Sequence, residues 1–293
     1  IDDFMLEKTV SQWIWIRMTE QYCSVFKLFI QSTDVIAKEL STYTTQNFKR
    51  FLWDNLVKRN WSSSTYNSYR KYLRCYCEFL KNEGYLSENP FDNIQKRKVA
   101  IQLPKTLTKS EIQELFKKLP SAFNMSTYVW KRNETIVYTY LYTGLRLSEL
   151  LNLKIKDLEI HEWYIKVTKW KWNKDRVVPL SQTLTKILAH YMLVRNKSFD
   201  INWDSPLFPT GYWKFLQKRD MNTMIKKLRS HVNFYFTWHQ LRHTYATELV
   251  RNNFDIYNIS RILGHSRIDT TKIYLSVDTE RLKNQLDSIT LFS

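Results

Sequence analysis

Glycine is scarce in this chain, with four in 293 residues. Each is therefore expected where the backbone needs its freedom. Gly84 follows a helical pattern, Gly211 sits in the turn FPTG, Gly144 lies two residues before Arg146, and Gly264 directly precedes His265. Cysteine is scarcer still. Cys23, Cys75 and Cys77 are odd in number and sit at no metal-ligand spacing, which excludes a disulfide framework and favours reduced, buried thiols. No run of eighteen apolar residues exists, so no membrane-spanning helix is expected, and the acidic start IDDFMLEK does not resemble a secretory signal. A soluble, cytoplasmic protein that is not exported is the expectation. Acids are also short: 28 Asp and Glu stand against 45 Lys and Arg, a net charge of +17. A field of that sign favours a polyanion, and nucleic acid is the commonest one. Ribosomal or membrane-surface binding would give a similar total, so charge sets a class of partner and not a function.

Hydrophobic residues make up 43% of the chain, enough to fill the cores of two modest domains. Most of the first hundred residues read as helical. WSSSTYNSYRKYLRCYCEFLKNEGYL begins with a serine-rich cap and ends at Gly84, with Tyr69, Leu73, Cys77 and Leu80 recurring at helical spacing. Arg70, Lys71 and Arg74 fall on other faces, as a solvated surface or as phosphate contacts. Pro90 and Pro104 then bracket a stretch without clear period that carries Lys96, Arg97 and Lys98, a linker pattern. A capping box opens the next domain. Thr108 caps the amide of Glu111, Glu111 reaches back, and Leu107 staples onto Ile112. The pattern stays helical to about residue 158. IHEWYIKVTKWKWNKDRVVPL then alternates around Asn173-Lys174-Asp175, as a small antiparallel hairpin does. Helical spacing returns to about residue 290. The expected fold is mainly α with a small antiparallel β-sheet in the second domain.

Titratable residues gather at helix boundaries, where backbone amides and dipoles favour a phosphate. In FTWHQLRHTYATELVRNN, His239 and Arg242 are three apart and share a helix face. His239 and His243 have the spacing of a metal pair. However, the glutamate of a zinc-protease helix is missing and an arginine beside a cation is unfavourable, so no metal site is expected. His243 reads as a core histidine. In LGHSRIDTTKIY, Ile273 and Val277 form an apolar stripe, and Tyr274 stands about 100° round the helix from it. By itself that tyrosine is either a boundary aromatic or a presented nucleophile.

Taken in order, TGLRLSELLNL, HQLRHTYATEL and LGHS, with TTKIY nine residues beyond the last histidine, resemble the tyrosine recombinase (phage integrase) family. The likeness is greatest to its Xer-type and integron- or transposon-borne members. It covers essentially the whole chain. SSSTYNSYRKYLR with ENPFDNI resembles the helical, SAM-like core-binding domain, and LPKTLTKSEIQELF resembles the opening of the catalytic domain. The resemblance implies a two-domain, C-shaped DNA clamp. Its parts are a DNA-binding domain over 1–95, a linker over 96–105, a catalytic domain over 106–278, and a tail helix over 279–293 exchanged between protomers. It assigns Arg146, His239, Arg242, His265 and the nucleophile Tyr274 to catalysis, with Glu149 bracing Arg146. KWKWNKDRVVPL resembles the family's hairpin turn and puts Lys171 in the catalytic role. Trp170 and Trp172 replace the flanking glycines of relatives, which leaves Lys169 and Lys174 as alternatives. Arg70, Lys71, Arg74, Lys96, Arg97, Lys169 and Lys174 are the candidate DNA contacts.

The implied chemistry suits these residue types. Only about 0.1% of a free tyrosine is phenolate at neutral pH, so the site must help deprotonate it and offset new charge on phosphorus. Two arginines supply forked, permanent donors to the nonbridging oxygens. His265 adds a further hydrogen bond, and His239 is suited to accept the phenol proton. A hairpin lysine protonates the departing 5′ oxygen. The resemblance implies a 3′-phosphotyrosyl intermediate, a Holliday junction and no cofactor or metal. It also implies double-stranded DNA with paired half-sites, bound by a homo-oligomer: a dimer on one site and a tetramer in synapsis. Leu282, Leu286 and Ile289 give the tail an apolar face, which suits packing on its own domain or, as the resemblance implies, exchange between protomers. A type IB topoisomerase or telomere resolvase shares much of this chemistry. A non-catalytic regulator would have no need for Arg146, Arg242 and Tyr274 together.

Overall fold

A computed structural model describes residue 4 and residues 16–32, 43–100, 103–123, 127–168, 175–199 and 202–264. It divides into two compact units, Ile1–Ile101 and Gln102–Ser293. The hairpin tip at 169–174 and everything from His265 onward, including Tyr274 and the tail, lie outside the described residues.

Unit 1 is built on helices α1 (Ile16–Ser32), α2 (Thr45–Lys58) and α3 (Ser63–Asn82). The serine-rich stretch starts α3 as its sequence suggests. Ser62 is the N-cap and its hydroxyl accepts from the amide of Thr65. Past the helix end Gly84 takes a left-handed φ of 75°. Leu73, Cys77 and Leu80 are buried, and Tyr69 tilts against Trp61 at 4.0 Å. The core is mostly aromatic: Phe29 stacks on Phe48 at 4.8 Å, and Phe48 meets Phe91 at 4.6 Å. All three cysteines are free thiols, with Cys77 buried and Cys23 and Cys75 half-buried.

Arg70 departs from its expected surface position. It is buried, and its Nε and Nη2 donate to the carbonyls of Ile94 and Phe91, so it ties the chain after α3 back onto the helix. Burial, followed by the charge of Arg74, pulls its pKa down. A guanidinium spent in this way is a structural tie. Lys71, Lys96 and Arg97 remain exposed, and Arg74 pairs with Asp92 at 3.1 Å. Lys71, Arg74 and Lys96 line a groove of about 820 Å³ on this unit.

Unit 2 opens with α4 (Lys109–Ala122), whose capping box forms as its sequence suggests. Thr108 accepts from the Glu111 amide at 3.2 Å, and the Glu111 carboxylate accepts from the Thr108 amide at 2.7 Å. Leu107 is buried, with Ile112 packed against the same core. Helix α5 (Thr127–Thr143) runs through the middle of the unit, with Ile136, Val137 and Tyr140 fully buried. The short α6 (Leu147–Leu151) and a 3₁₀ turn (Ile155–Asp157) lead into the sheet.

That sheet has three antiparallel strands, β1 (Leu158–Glu159), β2 (Tyr164–Val167) and β3 (Arg176–Pro179), in the order β1-β2-β3. The hairpin is β2–β3, in register Ile165↔Val178 and Val167↔Arg176. The two-residue β1 adds an edge that was too short to show as a period. Four further helices follow: α7 (Gln182–Ser198), α8 (Lys218–Arg229), α9 (Trp238–Arg251) and α10 (Ile256–Leu263). Both α7 and α9 pack on α5, and α10 packs on α9 and on β3. Among the described residues no helix is long and apolar enough to cross a membrane.

Thr108→Ala should remove both the cap and the brace on Glu111, at a cost of about 1 kcal/mol in denaturant unfolding, with most of it restored by Thr108→Ser.

Candidate active site

Three separate segments of unit 2 meet at the C-terminal end of α10. The first is the turn from α5 into α6. Gly144 adopts φ 57°, and a β-carbon there would collide with the ring of Tyr245 and come within 3.0 Å of Leu263, so the residue must be glycine. Buried Leu145 and Leu150 pin the turn on either side. Arg146 between them becomes the N-cap of α6 and keeps a side chain 40% exposed. Its backbone amide donates to Glu149 Oε2 at 2.8 Å and its Nη1 to Glu149 Oε1 at 2.8 Å.

The second segment is α9, whose cap is Thr237. Buried Trp238 and Leu241 fix its rotation. The Trp238 indole donates to the carbonyl of Met221, and the amide of Leu107 donates to Thr244 Oγ1 at 2.9 Å. With that side inward, His239 is exposed on the first turn, while Arg242 one turn later is buried. His243, read from sequence as a core histidine, is half-buried. Its pKa is lowered by burial, then by the charges of His239 and Arg242. No cluster of His, Cys, Asp or Glu suited to a metal occurs among the described residues.

Helix α10 supplies the third element, its own C-terminus. Asp255 caps its start, and Gly264 ends it in the left-handed region at φ 66°. Its last carbonyls have no partner within the helix, and each is taken by a different arginine. Arg176 Nε donates to Ile262 O at 2.8 Å, Arg242 Nη2 to Leu263 O at 2.8 Å, and Arg146 Nη2 to Gly264 O at 2.6 Å. Arg242 Nη1 also donates to the carbonyl of Gly144, which joins the first segment to the second. Three cations at the negative end of a helix dipole are favourably placed.

Glu149 binds two of these arginines together. Arg176 grips both of its oxygens, Nη1 to Oε1 at 2.8 Å and Nη2 to Oε2 at 2.7 Å, while Arg146 shares Oε1. Burial alone would raise this carboxyl's pKa. The hydrogen bonds and charge of Arg176, followed by those of Arg146, outweigh it and hold the value at about 2.

Of the catalytic residues expected from sequence, Arg146, Arg242 and the supporting Glu149 lie in this cluster, and His239 stands one turn before Arg242 on α9. Lys169, Lys171, Lys174, His265 and Tyr274 lie outside the described residues. Tyr245 packs against Gly144, and burial pushes its pKa up to about 12. Arg176 was not anticipated. A period-2 reading of Arg176-Val177-Val178 puts it on the inward face with Val178, and a charge on a core face requires a partner.

Glu149 therefore gives stability a defined pH dependence. Its proton binds near pH 2 in the folded chain and near the ordinary value of 4.5 when unpaired. Its contribution is complete above about pH 4.5 and drains as pH falls toward 2. Between pH 7 and pH 3, unfolding free energy should drop by about 2 kcal/mol more in wild type than in Glu149→Gln, as read by urea titrations at both pH values.

The phage integrase family model matches residues 105–281. The tyrosine recombinase XerD of Listeria monocytogenes serotype 4b (strain F2365) is 33% identical over 223 residues, spanning 72% of this chain and 71% of that protein. The tyrosine recombinase XerA of Pyrococcus furiosus is 31% identical over 255 residues, spanning 85% and 82%. Among solved structures, the XerH site-specific recombinase bound to its difH substrate, in a pre-cleavage complex, superposes with a TM-score of 0.71 at 24% identity. That match covers 92% of this chain and 77% of the other. On the family model and these relatives, the chain belongs to the phage integrase family and is a Xer-like tyrosine recombinase.

Proposed function

We propose that this site-specific recombinase cleaves DNA with Tyr274 and holds the scissile phosphate with Arg146, Arg242 and His265. One observation carries the assignment. Arg146 and Arg242, 96 positions apart in sequence, both bind carbonyls of the two residues that immediately precede His265. Three sequence boxes thus meet at one point, and the 40% exposed Arg146 faces solvent there.

The phenol oxygen of Tyr274 attacks phosphorus while His239 takes its proton. The two guanidiniums and His265 offset the charge that builds on the nonbridging oxygens. The 5′ oxygen departs with a proton from Lys171, leaving a 3′-phosphotyrosyl bond. A 5′ hydroxyl from the partner duplex then attacks that bond, and the tyrosine leaves. The phosphodiester is conserved through both steps, so no high-energy cofactor is consumed. Repeated on the second strand pair, the exchange passes through a Holliday junction and requires a dimer on each site and a tetramer in synapsis. Residues 1–95 act as the core-binding domain, with Lys71, Arg74, Lys96 and Arg97 on phosphates. The tail over 279–293 passes between protomers.

With a suicide substrate of a recombination half-site, wild type should form a covalent protein–DNA adduct, and Tyr274→Phe should abolish it while still shifting the DNA in a gel. An adduct that survives this substitution moves the nucleophile elsewhere. Lys171→Ala should slow cleavage at least about 100-fold, far more than Lys174→Ala. The reverse ranking would place the general acid at the other lysine.

A further inference from the structure

Arg176 takes no part in the chemistry proposed above, yet all three of its guanidinium nitrogens are hydrogen-bonded within the site. It stands at the base of the hairpin, where β3 begins, paired across the sheet with Val167. Its side chain is only 9% exposed. From there it makes three bonds in two directions: both Glu149 oxygens on α6, and the Ile262 carbonyl on α10. The same guanidinium lies flat against Gly264. A β-carbon on that glycine would sit 2.9 Å from its Cζ, so the absence of a side chain at Gly264 is what admits Arg176.

We infer that Arg176 is a positioning residue that keeps Glu149 from capturing Arg146. Glu149 Oε1 accepts from both arginines at 2.8 Å, whereas Oε2 is taken by Arg176 and by the Arg146 backbone amide. Arg176 satisfies the carboxylate, so Arg146 needs to offer it only one nitrogen, and its other nitrogen reaches Gly264 O. Remove Arg176, and a carboxylate only 12% exposed is left with Arg146 as its one cation among the described residues. At such burial the attraction is strong, and the geometry a carboxylate prefers is a two-pronged grip on a single guanidinium. Arg146 would close onto Glu149 and turn from solvent, and a phosphate would have to compete for it.

A simple brace behaves differently. If Arg176 only held the hairpin and α10 together, deleting its acceptor as well would add damage. If its work is to occupy Glu149, neutralising Glu149 should repair the loss. The inference rests on the assignment of Arg146 to the phosphate, and the test separates the two. In single-turnover cleavage of a suicide substrate at saturating protein, wild-type adduct formation is the control for that assignment. Arg176→Met should lower the cleavage rate about 100-fold with little change in the protein concentration needed for saturation. Arg176→Met/Glu149→Gln should cleave at least about tenfold faster than Arg176→Met alone, a positive coupling in the double-mutant cycle. Where Arg176→Met yields too little folded protein, Arg176→Lys serves in both arms, because an ammonium reaches one carboxylate oxygen and not two. An Arg176 variant that cleaves at the wild-type rate overturns the inference. So does a double variant no faster than the single. An absent wild-type adduct overturns the assignment beneath it as well.

Discussion

Three successive carbonyls at the end of α10, each bound by a different arginine, are the contact on which unit 2's candidate site depends. A helix that stops on a left-handed glycine leaves these oxygens without intrahelical donors, and in a buried setting each must find one. Here the donors come from β3, from the turn before α6 and from α9. One backbone requirement therefore draws together segments far apart in sequence. The two left-handed glycines that bound the cluster, Gly144 and Gly264, are fixed by the same packing, since a side chain at either would strike Tyr245 or Arg176.

The arrangement carries an electrostatic cost. Three guanidiniums and one carboxylate leave two positive charges in a largely buried cluster. Carbonyl dipoles and the helix end offset part of that, and Glu149, its carboxyl held at about pKa 2, offsets more. The residual positive charge attracts an anion. A cluster of this design pays in stability for positive charge that is positioned in advance, which suits the proposed hold on a phosphodiester.

Much of this was legible in the sequence, because its signals were local. Ser62 and Gly84 marked the ends of a helix, Thr108 and Glu111 made a capping box, and alternation marked the hairpin. Arg146, Glu149 and Arg242, which meet in the cluster, stand in boxes that their order and spacing single out. What escaped was tertiary. Arg176 reads as one more charge after a basic turn, and only the packing of α10 on β3 makes it the carboxylate's main partner. Arg70 reads as a surface cation, but the chain after α3 folds back and presents two carbonyls to it. The strand β1 has two residues, too few for a period to register.

The direct test of the cluster is nitrogen NMR of arginine-labelled protein without DNA, resolving rotation about the Cζ–N bonds of Arg146, Arg176 and Arg242. A guanidinium pinned at two or more nitrogens rotates slowly and shows separate Nη signals, whereas one facing water averages them. Three sets of resolved Nη signals, assigned by substitution of each arginine, are the result expected if the end of α10 is held as described. Averaged signals from all three would mean that the arginines are not bound to those carbonyls in solution, and would contradict the account.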